Sequence, residues 1–422
     1  MRQRLRHAGA AAVVAVTALT GCGAPRVAEV SSIKVGLVVP LSGESATYGN
    51  NAQQGAQLAV ELLNGTEQTV RLPLIASGLS AQLNGASLEL IVANTESDTQ
   101  IAADAVSRLA AESEITVFMG AYDDDVTAAA SEQADKLGIP FVNVDSTRAD
   151  LTERGFRWFF RIGPTDQIVS EAFLRLMERV TAQLEDESNR VGLTYPELPV
   201  ESAIASEVSA VVTAAGYEVV DLALAGPEPD LEALLEDAPA VDAVIAIASD
   251  VEDAANTTQL LRDVADLSGS AIVGMGEGFE NDGFTVRARD AAADVLIVDD
   301  WTAELTQRGG PVTEVANLYL QRFSTPLTAE AAASFTGIYV IARALSDAGS
   351  VERGQLRDAL SDLNMPGREV IMPWDGVHFD QTQQNSAARG VVSQQVEDSR
   401  VLVYPFDLAR EAVRWPAAPA AG

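Results

Sequence analysis

Asp123, Asp124 and Asp125 stand side by side. Carboxylates grouped in this way are the side chains that acid–base chemistry or a hard metal ion would use. In a chain with 61 acidic residues, such runs also arise freely by chance. Other reactive side chains are few: one cysteine, Cys22, and two histidines, of which only His378 lies beyond the first residues. With Cys22 committed to the N-terminal segment, no thiol nucleophile is left, and most acyl-transfer and zinc arrangements drop out. No HExxH, GxSxG or P-loop pattern occurs. Gly274-Met275-Gly276-Glu277-Gly278 approaches a dinucleotide loop, but its third glycine falls one position early and no long helix opens there. It reads as a binding loop of another kind. Catalytic residues, metal ligands and cofactors are therefore not expected, and the chain reads as a binding protein. The enzyme alternative needs turnover from Asp123 to Asp125 with a bound metal, which chelator-sensitive activity would reveal.

The elements that must position such a loop alternate. Ile33 to Val39 reads as a buried strand, and Asn51 to Asn64 puts Ala52, Ala56, Val60 and Leu63 on one helical face. Leu88 to Ala93 leads into a helix from Thr99 to Ala111, with Ile101, Ala105 and Leu109 on its face. Val117 to Gly120 precedes a helix from Asp125 to Leu137, and Phe141 to Val144 follows. From Ser170 the alternation restarts: a helix to Leu184, a strand Val191 to Thr194, a helix Glu201 to Ala215, then strands Tyr217 to Leu224 and Ala243 to Ala248. A helix from Val251 to Val264 and strands Ala271 to Met275 and Val295 to Val298 complete the series. Helices at Ala329 to Asp347 and Glu352 to Leu363, and strands at Val391 to Val396 and Arg400 to Tyr404, come late. Two strand–helix series predict an α/β chain with two parallel-sheet lobes. Val70 to Asn84 shows no clean period and is expected to be a surface insertion.

The N-terminus carries Arg2, Arg4 and Arg6, then an apolar run from Ala8 to Leu19 of roughly twelve residues. A membrane span needs about 20, so the segment reads as a secretory signal. Leu19-Thr20-Gly21-Cys22 resembles the bacterial lipobox, which implies cleavage before Cys22 and a lipid on its thiol. More than one acyl chain is what stable anchoring requires. Residues 1–21 are then the signal, 22–32 a lipidated tether, and the folded part works tethered at the extracytoplasmic face of the cell membrane. With no second cysteine, no intrachain disulfide can form. About 400 residues remain, which is too many for one ordinary core. The net charge of -33 makes nucleic acid a poor partner, because binding phosphates needs basic patches.

Ile33-Lys34-Val35-Gly36-Leu37-Val38-Val39-Pro40-Leu41-Ser42-Gly43 resembles the opening of the branched-chain amino-acid type of periplasmic binding protein. Gly49, Gly55-Ala56, Leu58-Ala59-Val60, Val117-Phe118-Met119-Gly120, Ile139-Pro140, Thr147, Leu151-Thr152, Arg154-Gly155-Phe156 and Phe160-Arg161 follow in the family's order. The resemblance runs on through Gly276-Glu277-Gly278 to the final strands. It implies the type I fold, two αβ lobes joined by three hinge crossings, near Arg161 to Pro164, Asp300 to Thr302, and Met372 to Asp375. Lobe 1 is expected over 33–161 plus 302–374, and lobe 2 over 163–300 plus 376–410. A small polar solute, amino-acid-like, amine-bearing or amide, would be held in the cleft at the strand ends. It would be handed to the permease and ATPase subunits of an ABC importer by a monomer that closes about its hinges. A tethered ligand-sensing accessory for a signalling partner is the alternative.

By the resemblance, Tyr48 packs on the ligand, Thr147 with Ser146 meets it through hydroxyl and backbone, and Glu277 accepts its ammonium. Tyr122, after the third strand, and Asp250, after the strand Ala243 to Ala248, are also expected to bind the ligand. The family's serine after the third strand is replaced by Asp124. With Asp145, Asp250 and Glu277 also expected to face the cleft and no basic partner evident, a cationic, amine-bearing or neutral polar ligand is expected. Asp125 has the alternative of capping the helix that follows.

Overall fold

The computed structural model describes residues 32–65, 70–79, 83, 85–182, 189–224, 240–264, 270–281, 283–397 and 399–415. The signal, Cys22 and nearly all of the tether lie outside the described residues, as do the last positions of the helix expected to reach Leu184. Among the described residues no helix is long and apolar enough to cross a membrane.

Lobe 1 opens with β1 (Ser32–Val39), α1 (Ala46–Asn64), α2 (Pro73–Ser77), β2 (Ser87–Asn94), α3 (Thr99–Glu112), β3 (Val117–Gly120), α4 (Asp124–Leu137), β4 (Phe141–Asn143), α5 (Asp150–Glu153) and β5 (Phe159–Arg161). Lobe 2 follows with α6 (Asp166–Thr181), β6 (Arg190–Thr194), α7 (Pro199–Ala214), β7 (Glu218–Asp221), β8 (Ala243–Ile247), α8 (Val251–Asp263), β9 (Ala271–Met275), α9 (Glu277–Glu280), α10 (Gly283–Ala288) and β10 (Leu296–Asp299). The chain then adds α11 (Gly310–Phe323), α12 (Ala329–Ala348), α13 (Arg353–Ser361), β11 (Asn364–Pro366) and β12 (Gly376–His378) before β13 (Val391–Val396) and β14 (Ser399–Tyr404).

The lobe 1 sheet runs β2-β1-β3-β4-β5 and is parallel throughout. Its central strands are buried on both faces, as parallel strands covered by helices must be. The lobe 2 sheet runs β14-β13-β10-β9-β8-β6-β7. It is parallel from β7 to β10, and β13 and β14 continue it antiparallel as a late hairpin. The two parallel series thus form where the alternation of strands and helices places them.

Helix α12 is buried along most of its length and packs on β3 and β4. Gly337 permits the approach: a Cβ there would come 2.6 Å from the Met119 sulfur and 2.7 Å from a Val144 methyl. The N-terminus of α12 therefore sits at the carboxyl ends of the lobe 1 strands.

Two expectations are corrected. The stretch Val70 to Asn84 is no surface insertion, because Val70, Leu72, Leu74, Ile75, Leu79 and Leu83 are buried in the lobe 1 core. Its apolar residues follow a short helix opened by Pro73 and a turn, so they show no single period. Ile101 is 38% exposed, while Ala105 and Leu109 are buried beside Ala102 and Val106. The apolar stripe of α3 is rotated by one residue from the expected one. Residues after Met372 to Asp375 still pack against β5. Val377 and Phe379 are buried, and Phe379 packs edge-on against Phe160 at 5.2 Å. Gln384 and Asn385 bond to Arg161, Ile162 and Gly163.

Candidate ligand-binding cleft

The loop after β3 is set by its backbone. Gly120 has φ +127°, and a Cβ on it would lie 2.0 Å from the Val38 carbonyl oxygen, so only glycine fits. The chain turns there and starts α4 at Asp124. Asp124 and Asp125 occupy its first turn, where the helix dipole favours negative charge. Asp123 holds the capping position, but its side chain makes no cap bond, and Asp125 does not cap either.

Facing this loop is the turn after β4. Ser146, 3% exposed, donates to the Tyr122 carbonyl at 2.8 Å, shares a 2.6 Å bond with Thr127 Oγ1 and accepts from Asn143 Nδ2 at 3.1 Å. It braces the loop from behind. The Thr147 hydroxyl bonds the Asp166 carboxyl group of lobe 2, and the Asp166 amide reaches the Thr147 carbonyl at 3.4 Å. Burial pushes Asp166 up to about 6, against that hydroxyl bond.

Arg161, 0% exposed, holds the same turn. Its guanidinium donates to the Arg148 carbonyl at 2.6 Å, to the Ser146 carbonyl at 3.4 Å and to Gln384 Oε1 at 2.5 Å. Burial lowers its pKa to about 10, which leaves it cationic. Asp124 is half-buried and accepts from the Arg148 amide at 3.3 Å, and Arg148 itself pairs with Asp125 at 2.6 Å and Asp150 at 2.7 Å. Burial raises the Asp124 carboxyl, while Arg148 and Arg161 oppose the shift. The expectation that Asp124 lacks a basic partner is corrected. Its partners come from 24 and 37 positions along the chain, a separation that no motif advertises.

The cleft proper is crossed by aromatic rings. Tyr48, in the first turn of α1, stacks on Tyr122 with centroids 3.7 Å apart. The Tyr122 hydroxyl donates to Glu277, the first residue of α9, so this bond too joins the lobes. Burial and the Glu277 carboxylate both push the Tyr122 phenol upward. Glu277 itself is exposed at the edge of the cleft. From behind, Arg400 fixes α9 by donating to the carbonyls of Phe279, Glu280 and Asn281. Asp250 is exposed and caps α8, accepting from the amides of Glu252 at 2.7 Å and Asp253 at 3.2 Å. Its carboxylate is turned to its own helix rather than to Glu277.

Below the tyrosines lie carboxyl groups that sequence reasoning did not assemble. Burial and Glu330 lift Asp145 to about 8, with the neighbouring Tyr48 hydroxyl opposing. Asp300 is raised by burial, by Asp299 and by Asp145. Glu280 and Asp299 are raised by burial as well, with Arg400 opposing. Among the described residues no group of three or more side chains has the arrangement of a metal site. Asp300 lies on an expected crossing, but nothing in the sequence marks it as a cleft acid, and Glu330 reaches it only through the packing of α12.

The model of the periplasmic binding protein family matches residues 32–400. Leu/Ile/Val-binding protein homolog 7 of Brucella suis biovar 1 (strain 1330) is 22% identical over 417 residues, 96% of this chain and 98% of that protein. Among solved structures, the substrate-binding protein LivJ of Streptococcus pneumoniae, in complex with isoleucine, aligns with a TM-score of 0.64 at 20% identity, covering 87% of this chain and 97% of that one. A solute-binding protein of Rhodopseudomonas palustris BisB5, in complex with 3,4-dihydroxybenzoic acid, aligns at 0.63 and 17% identity, covering 92% and 99%. The fold is the two-lobed type I architecture that the sequence led us to expect, and the family is one of transporter binding proteins rather than enzymes. The chain belongs to the periplasmic binding protein family.

Proposed function

We propose that the chain captures a small amine-bearing polar solute outside the cytoplasmic membrane and delivers it to an ABC importer, acting as a monomer held to the membrane by a lipid on Cys22. One observation carries the ligand class: the cleft joins Tyr48, Tyr122 and Glu277 across the two lobes. Stacked phenol rings and a carboxylate are what an ammonium-bearing solute needs, through cation–π attraction and a charge-assisted hydrogen bond. The relatives support capture as the role, since their names describe amino-acid binding. Thr147 contributes backbone and hydroxyl groups at the same cleft, with Ser146 bracing the turn. Asp124 acts through the Arg148 turn, and Asp250 acts by capping α8, so neither is a direct contact in this reading.

A solute that touches both lobes shifts the hinge only by its differential affinity for the closed form. The test is a thermal-shift screen of the soluble chain from Gly23 against amino acids, amines, amides and sugars, because a ligand of the native state raises stability by mass action. A shift with amine-bearing compounds that Glu277→Gln abolishes is the expected result. A shift only with sugars or amine-free amides overturns the ligand class.

A further inference from the structure

Two features at the floor of the cleft are unused by that reading. The first is a set of acids from three separate elements: Asp145 at the carboxyl end of β4, Asp300 on the second crossing, and Glu330 in the first turn of α12. The charged groups acting most strongly on Asp300 are Asp299, Asp145 and Glu330, all acidic. The second is a set of buried polar atoms without partners. The Tyr48 hydroxyl is buried beside Asp145 with no partner of good hydrogen-bond geometry, and Glu330 Oε2 is likewise buried and unpartnered. Ser334, 1% exposed, also has an unpartnered hydroxyl. It lies one helical turn from Glu330 on the α12 face where Gly337 touches Val144, so that face leads along the helix towards Asp145. Buried polar atoms are nearly always hydrogen-bonded, and a convergence of unpartnered acceptors calls for a donor. A donor that is also a cation offsets the burial of the acids.

We infer that Asp145, Asp300 and Glu330, with the hydroxyls of Tyr48 and Ser334, form a second subsite for a cationic nitrogen, distinct from Glu277 on the facing lobe. The inference rests on the reading of the cleft as a solute site and sharpens it: the solute is an organic dication, such as a short diamine or a guanidino-amine. The Tyr48–Tyr122 stack lies between the two acidic groups and provides the apolar surface for the connecting methylenes. The groups facing Asp145 are Tyr48 from α1, Tyr122 from the β3–α4 loop, Asp300 from the crossing and Glu330 from α12. Because Asp145 sits near 8, it is mostly protonated at neutral pH. A cation bound there favours the ionised form, so binding releases a proton and tightens as pH rises towards 8.

The test is titration calorimetry of the mature soluble chain with 1,4-diaminobutane, 1-aminobutane and leucine. The diamine is expected to bind at least about tenfold more tightly than the monoamine, the gain from one further charge-assisted bond. Asp145→Asn and Glu330→Gln are each expected to remove that gain and to lower diamine affinity more than monoamine affinity. Glu330→Gln, on a different element, guards against a folding defect at Asp145. In buffers of different ionisation enthalpy at pH 7, the diamine should release about one proton through Asp145. Equal affinities for the two amines, or a diamine affinity untouched by both variants, overturns the subsite. Binding of leucine without the diamine also overturns it and leaves solute capture standing. No heat with any of the three overturns both.

Discussion

The two lobes use their polar groups differently at the cleft. In lobe 1, Arg161, Ser146, Asn143 and Thr127 bond to one another's loops and lock the turn that carries Thr147 and Asp145. In lobe 2, Arg400 and Asp250 satisfy only helix ends, and the Glu277 side chain projects from them exposed. Lobe 1 is a preorganised platform, while lobe 2 presents one side chain on a braced backbone. A ligand that docks first on the fixed half and is then met by the other pays its ordering cost in stages.

The sharpest way to break this contrast is to remove one anchor from each lobe. Arg161→Leu leaves several buried acceptors without a donor and should cost about 3 kcal/mol or more of stability, whereas Arg400→Leu should cost about 1 kcal/mol. Urea unfolding of both variants measures the difference, and equal losses would erase the distinction between lobes. A smaller effect is expected from Tyr122→Phe, which keeps the stack on Tyr48 and deletes the bond to Glu277. Affinity for an amine should fall about tenfold with little change in stability, and small-angle scattering should show the lobes further apart. Ser146→Ala should do the reverse, losing stability with the lobe separation unchanged. The smallest effect is expected at Asp250→Ala, which removes a helix cap worth about 1 kcal/mol and should leave affinity unchanged. A loss of affinity there would return Asp250 to the cleft.

The regular parts of this architecture were legible in the sequence because a buried parallel strand and an amphipathic helix each impose a period. Ala271 to Met275 and Val391 to Val396 are found with the expected ends. Where the chain fills a core without a period, as from Val70 to Leu83, pattern reading places it at the surface although its apolar residues are inside. The cleft was half legible. The resemblance to the family pointed to Tyr48 and Glu277, with Tyr122 named beside them, and the structure brings the three side chains together. Asp124 and Asp250 stand where expected, but short local bonds to backbone amides decide where their carboxylates point. Asp300 and Glu330 carry no signal of their own; the crossing after β10 brings Asp300 to Asp145, and Glu330 comes near because Gly337 lets α12 lie close to β4.

Arg161 has a consequence for a protein that works in a space whose acidity follows the medium. The brace it forms is built from a guanidinium, the amides of Gln384 and Asn385, and backbone carbonyls. None of these groups changes charge between mildly acid and mildly alkaline conditions. A few residues away, the carboxyls of Asp145 and Asp166 do change, at about 8 and about 6. The molecule thus keeps a chemically silent brace next to carboxyls whose charge depends on the environment, and acidity can tune the charge of the cleft without loosening the turn that frames it.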